Sequence, residues 1–187
     1  MNVIFLDFDG VIDTVHYITL ADMEEKIKIL SKICHEYDCK VVIEASIKWL
    51  INEETLEIEE EVEWVKHIFN CFKKYDIECI GRTPCVSKYF GNGFFTPIWK
   101  EFEIKKYLFN HPEIDHFCII DDDDLGPIKS DLKTLKEYLV ETIYYSDNKE
   151  EEGLLEEHSK QVGEILKLDN KYKKLAIKNA KIKKRTL

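Results

Sequence analysis

Two groups of carboxylates carry the chemistry that can be read in this sequence. Asp7-Phe8-Asp9-Gly10-Val11 follows the apolar run Val3 to Leu6, and alternate residues there aim the Asp7 and Asp9 carboxylates into one crevice. Two acids so close repel and raise each other's pKa unless a cation sits between them. Hard oxygen ligands with open positions suit Mg²⁺, and Gly10 lets the chain turn sharply and lets an oxyanion approach the backbone. The second group, Asp121-Asp122-Asp123-Asp124, follows another apolar run, and the two groups together could hold one divalent cation. Taken singly, each has a plainer reading, because D-x-D-G is common in turns and an acidic run after a strand caps a following helix. Placed together at the carboxyl ends of two parallel strands, they point to a metal and phosphate site.

That placement depends on the elements between the two groups. Val3–Leu6, Val41–Ile43, Ile77–Ile80, His116–Ile120 and Val140–Tyr144 read as short buried strands. Apolar residues at helical spacing predict a helix from Ala21 to about Tyr37, helical segments between Trp49 and Tyr75, and further helices over Lys100–Phe109, Leu132–Tyr138 and Leu154–Leu166. The seven glutamates between Glu53 and Glu63 read as a solvated helix face. Strict alternation of strand and helix predicts an α/β fold, a Rossmann-like three-layer sandwich with a mainly parallel sheet and ligands beyond the carboxyl ends of the strands. The loop that follows Gly81 is Gly-rich and aromatic, and its Tyr89 to Trp99 part reads either as a lid or platform over the crevice or as a hydrophobic loop folded over the sheet edge.

At 187 residues, with 44% hydrophobic content, the chain has room for one sizeable core. Its 27 basic and 37 acidic residues give a net charge of -10, which argues against a wholly basic nucleic-acid-coating protein. The six cysteines contain no C-x-x-C pair and read as reduced thiols. The opening residues lack the features of a secretory leader, and no apolar run approaches the ~20 residues that span a bilayer, so a cytoplasmic protein without membrane contact is expected. After Leu168 the composition shifts: Lys171 to Leu187 holds eight basic residues and no acidic one. This segment reads as a terminal helix or tail packed on the acidic body, or as a nucleic-acid contact. The expected division is a body over residues 1–168 and a basic helix or tail over 169–187.

The D-x-D-G after the first strand resembles the hallmark of the haloacid dehalogenase (HAD) superfamily. The run Lys100-Glu101-Phe102-Glu103-Ile104, then Tyr107-Leu108, His111, Phe117 to Asp124 and Gly153-Leu154-Leu155, is similar to the small HAD domain of Swiss Army knife RNA repair proteins. The resemblance implies Asp7 as the nucleophile that takes the phosphoryl group and Asp9 as the acid/base. It implies an Mg²⁺ site made by Asp7, the Asp9 backbone carbonyl, Asp121 and Asp122. For the lysine of the third motif, Lys100 fits the start of the family's helix, with Lys105 and Lys106 as rivals on the helix surface. Relatives place a Ser- or Thr-containing segment ending in Trp-Arg after the second strand. Here Ile43-Glu44-Ala45-Ser46-Ile47-Lys48-Trp49 stands there, with Ser46 as the best hydroxyl and Glu44 where an acceptor-only side chain would repel phosphate. The spacing leaves no room for a large cap domain, so an open crevice is expected. The implied activity is that of a phosphomonoester phosphatase on a small molecule or a nucleic-acid end. The alternative is a non-catalytic module that binds metal or phosphate.

Overall fold

The computed structural model describes residues 1–52, 54–58, 62–85, 100–123 and 135–173, together with the backbone of 89–90 and 94–95. In chain order the elements are β1 (Asn2–Leu6), α1 (Leu20–Tyr37), β2 (Cys39–Ile43), α2 (Glu63–Lys74), β3 (Cys79–Arg82), β4 (Tyr89–Phe90), β5 (Phe94–Phe95), α3 (Lys100–Asn110), β6 (His116–Asp121), β7 (Leu139–Glu141) and α4 (His158–Ile165). Five strands form one sheet in the order β3-β2-β1-β6-β7, and every neighbouring pair is parallel. The order runs outward from β1 in both directions, so the crevice of a doubly wound sheet falls between the ends of β1 and β6. Asp7 follows the last residue of β1, and Asp121 is the last residue of β6.

The period of two along each strand sorts the core into two layers. Ile4, Leu6, Val41, Ile43, Cys118 and Ile120 pack with residues of α1, α2 and α4 on one face. Val3, Phe5, Val42, Phe117 and Ile119 pack with Ile104, Tyr107 and Leu108 of α3 and with Tyr138 on the other. This is the three-layer α/β sandwich expected from the sequence, with no large cap among the described residues. Helix α1 starts where Thr19 and Asp22 form a reciprocal capping box, and it stops at Asp38, whose φ of 50° is left-handed. Its Met23, Ile27, Leu30, Ile33 and Cys34 lie on the buried face, as their spacing predicts.

Several boundaries differ from the periodicity. The glutamate-rich stretch is not a helix where it is described. Asn52 accepts hydrogen bonds from the Glu54 and Thr55 amides, Leu56 takes a φ of 56°, and Ile51 bridges to Ile58. A side chain that captures these amides gives the backbone an alternative to a helical turn, and helix begins only at Glu63. The third strand starts at Cys79 rather than Ile77, because the Ile77 amide closes the end of α2 on the Phe72 carbonyl while Asp76 turns left-handed at φ 54°. The segment before β7 is a single 3₁₀ turn at Lys136–Tyr138, with residues 132–134 outside the described residues. The fifth strand shortens to Leu139–Glu141, and the last helix starts at His158. The aromatic loop contains a two-stranded antiparallel ribbon, Tyr89 facing Phe95 and Phe90 facing Phe94, so it is not structureless. Its role as lid or edge cover rests on side chains outside the described residues.

The chain beyond α4 is anchored to the body as far as it is described. Asn170 donates to the Ile114 carbonyl at 2.9 Å, and Tyr138 donates to the Asp169 carbonyl at 2.8 Å. Lys171 pairs with Glu137 and Lys173 with Asp115. Residues 174–187 lie outside the described residues. No helix among the described residues is long and apolar enough to cross a membrane, and all six cysteines are free thiols.

Candidate active site

Strand β1 delivers Asp7 into the crevice and fixes it by its own backbone: the Asp7 amide donates to the Ile120 carbonyl at 3.0 Å, and the Phe8 amide donates to Asp7 Oδ1 at 2.7 Å. Lys100, the first residue of α3, reaches the same point. Its Nζ hydrogen-bonds Asp7 Oδ2 and lies 2.9 Å from both carboxylate oxygens of Asp121. Asp9 stands two residues beyond Asp7, where Ser46 Oγ donates to Asp9 Oδ2 at 2.9 Å. Thus Asp7, Asp9, Ser46, Lys100 and Asp121 come together from four elements widely separated in sequence. Lys105 instead pairs with Glu101 on its own helix, and Lys106 lines a separate cavity beside Arg82 and His111.

Asp122 completes the cluster, and Gly10 is what admits it. Gly10 has a φ of +73°, and a Cβ built there would lie 2.3 Å from Asp122 Cγ. The same turn is held by Thr142, whose hydroxyl donates to the Gly10 carbonyl at 2.8 Å and whose amide donates to the Asp121 carbonyl at 3.0 Å. One oxygen from each of Asp7, Asp121 and Asp122 lies within 4.8 Å of the others.

The electrostatics show an excess of negative charge. Burial raises the Asp7 carboxyl above its ordinary value against the opposing pull of Lys100, and burial with the Asp7 charge pushes Asp121 up to about 8. Asp122 is raised by burial as well. Asp13, which the sequence reading did not single out, is pushed up to about 6 by burial and by Asp9. Among the described residues Asp13 Oδ1 is the buried side-chain oxygen with no hydrogen-bond partner. The Lys100 ammonium is in turn held above its ordinary value, because Asp7 and Asp121 outweigh its burial. A converging set of hard oxygens, each disfavoured as a bare anion, fits a small divalent cation of the Mg²⁺ class.

Two supporting networks lie outside the motifs of the sequence reading. Lys48 lies in the turn after β2 and bonds Glu44 at 2.9 Å, Thr83 at 3.0 Å and Glu103 of α3. Glu44 is wholly buried and is held by Lys48 and Thr83. The expectation that Glu44 would face and repel phosphate is therefore corrected: its carboxylate is spent on these partners. The signal missed was Glu44 and Lys48 at i and i+4 on either side of Ser46.

Glu152 is the second. Its buried carboxylate accepts from Thr14 Oγ1 at 2.7 Å, from the His16 amide at 3.1 Å and from the Ser146 amide at 2.9 Å, and it pairs with His16 Nδ1 at 2.6 Å. These bonds outweigh burial and hold the acid down at about 2. Glu152 thereby clasps the loop after Asp9 to the loop after β7.

Comparison with the curated proteins and with the solved structures finds no match. The family described as the HAD domain in Swiss Army Knife RNA repair proteins matches residues 3–158, a span that contains the Asp7, Ser46, Lys100 and Asp121 positions and, but for Asn2, all five strands of the parallel sheet. The chain belongs to this family and so to the HAD-type phosphatases and hydrolases in general.

Proposed function

We propose that this protein is an Mg²⁺-dependent phosphomonoester phosphatase that works through an aspartyl-phosphate on Asp7. The observation that carries the reading is the Lys100 ammonium bonded at once to Asp7 and Asp121, with Asp9 two residues from the nucleophile and oriented by Ser46. Asp7 Oδ attacks the phosphorus in line with the ester oxygen, the P–O ester bond breaks, and protonated Asp9 gives its proton to the departing alkoxide. Asp9, now a carboxylate, takes a proton from water as that water's oxygen attacks the phosphorus. The acyl-phosphate bond breaks to release inorganic phosphate and restore Asp7. Lys100 opposes the burial that raises the Asp7 carboxyl and offsets charge on the transferring group. Asp7, Asp121, Asp122 and the Asp9 carbonyl would hold Mg²⁺, which when bound neutralises phosphoryl oxygens.

The alternative, a binding module without turnover, rests on Glu44 and on the departure of the segment after the second strand from the family's pattern; the burial of Glu44 against Lys48 and Thr83 speaks against the first of these grounds. The substrate class we infer is the phosphorylated end of a nucleic acid, from the family's connection with RNA repair; a small phosphorylated metabolite is the competing class. Phosphate release from an aryl phosphate, with Mg²⁺ and with EDTA, tests the chemistry. Release should require the metal. Release unaffected by EDTA would defeat the metal assignment. A KM for a 3′-phosphorylated oligonucleotide that rises steeply with salt supports the nucleic-acid end, and a flat response supports the metabolite.

A further inference from the structure

On the helical layer formed by α1 and α2, the side chains of Glu24, His67 and Cys71 converge. Their ligand atoms all lie within 4.8 Å of one another. His67 and Cys71 are four residues apart on α2 and so share a face, and Cys71 Sγ stands 3.4 Å from His67 Nε2. Zn–S and Zn–N bonds of about 2.3 and 2.05 Å at a tetrahedral angle set an S···N edge of about 3.5 Å. The pair is thus already spaced as two ligands of one zinc ion. Glu24, from α1, supplies the oxygen.

Glu24 is shared by Lys74 at 2.6 Å and the Tyr75 hydroxyl. The Lys74 side chain is 60% exposed, and a surface pair of this kind exchanges readily with solvent. A cavity of about 380 Å³, lined by Leu20, Glu63, Lys66, His67 and Asn70, opens beside His67 and gives access from solvent.

We propose that Glu24, His67 and Cys71 form a second metal site, selective for Zn²⁺ or a similar thiophilic cation, that ties α1 to α2. Three protein ligands leave a fourth position for water. Binding displaces the thiol proton to solvent and releases Lys74 from Glu24. The ligand chemistry keeps the two sites apart, because thiolate and imidazole select zinc where the carboxylates of the crevice suit Mg²⁺.

The test is titration of the full-length, metal-free protein with Co²⁺, which reports a thiolate ligand by a sulfur-to-metal charge-transfer band in the near ultraviolet. The expected result is a band that saturates at one equivalent and is bleached by Zn²⁺. It should be lost in Cys71→Ser and in His67→Gln, and retained in Cys85→Ser and in Asp121→Asn. Circular dichroism of each variant separates loss of the site from loss of the fold. His67→Gln carries the decision if Cys71→Ser does not fold. Glu24→Gln should weaken Co²⁺ binding by at least tenfold. No thiolate band, or a band that survives in folded Cys71→Ser or His67→Gln, overturns the proposal.

Discussion

The Lys48 ammonium stands 2.9 Å from the Glu44 carboxylate and bonds Glu103 as well, so one buried cation joins the turn that carries Ser46 to the helix that starts at Lys100. Breaking such a pair by removing one partner leaves uncompensated buried charge. Lys48→Met should therefore lower stability by about 3–5 kcal/mol in urea unfolding. Replacing Glu44 and Glu103 by Leu in the same variant should recover most of that loss, because no buried carboxylate then lacks a partner. If the triple variant is no more stable than Lys48→Met, the network is not the origin of the loss.

Gly10→Ala tests the approach of Asp122. The φ of +73° and the 2.3 Å gap to Asp122 Cγ require either the turn or the aspartate to move. A displacement of about 1 Å in a positioned group costs on the order of 100-fold in rate. The kcat/KM for an aryl phosphate should fall by roughly that factor, with a loss of about 1 kcal/mol in stability. Unchanged kinetics would place Asp122 outside the machinery.

Glu152 governs the acid limb of stability. Its carboxyl is held down at about 2 in the folded chain against an ordinary value of 4.5. A depressed acid stabilises the fold above its unfolded value and loses that contribution as pH falls through the folded one. The native protein should therefore lose stability from Glu152 progressively between pH 4.5 and about 2. Glu152→Gln should melt lower at pH 7 and show a shallower decline of Tm below pH 5, followed by calorimetry. A parallel pH dependence in both proteins would contradict the clasp.

Much of the crevice is legible in the sequence because it is built where strands stop. Asp7 and Asp121 follow apolar runs, and a parallel sheet brings such positions together whatever the loops do. Apolar spacing places Lys100 at the start of a helix, and the resemblance to the family's third motif supplies its place in the site. The partners that hold these residues are less readable. Glu152 lies in a polar stretch whose composition resembles any solvated loop, and only the tertiary approach of Thr14, His16 and Ser146 gives it a role. Glu103 reads as a surface residue, yet the neighbouring Lys48 draws it into the interior. The turn at Asn52 and the left-handed Leu56 defeat a helical reading that glutamate composition alone favours.

The central claim is that Asp7 carries the phosphoryl group. Substituting Asn keeps the shape of the side chain and removes the nucleophilic charge, so Asp7→Asn should fold as the native chain does and lose at least ~1,000-fold in turnover. The direct measurement is acid quenching with a radiolabelled aryl phosphate and Mg²⁺, followed by peptide mapping. An activated aryl leaving group needs little protonation, so Asp9→Asn should still form the intermediate and, lacking the base, accumulate label on the peptide that contains Asp7. Label on that peptide in Asp9→Asn, and none in Asp7→Asn, is the result the account predicts. Label that persists in Asp7→Asn, or Mg²⁺-dependent turnover with no labelled protein in any form, would contradict it.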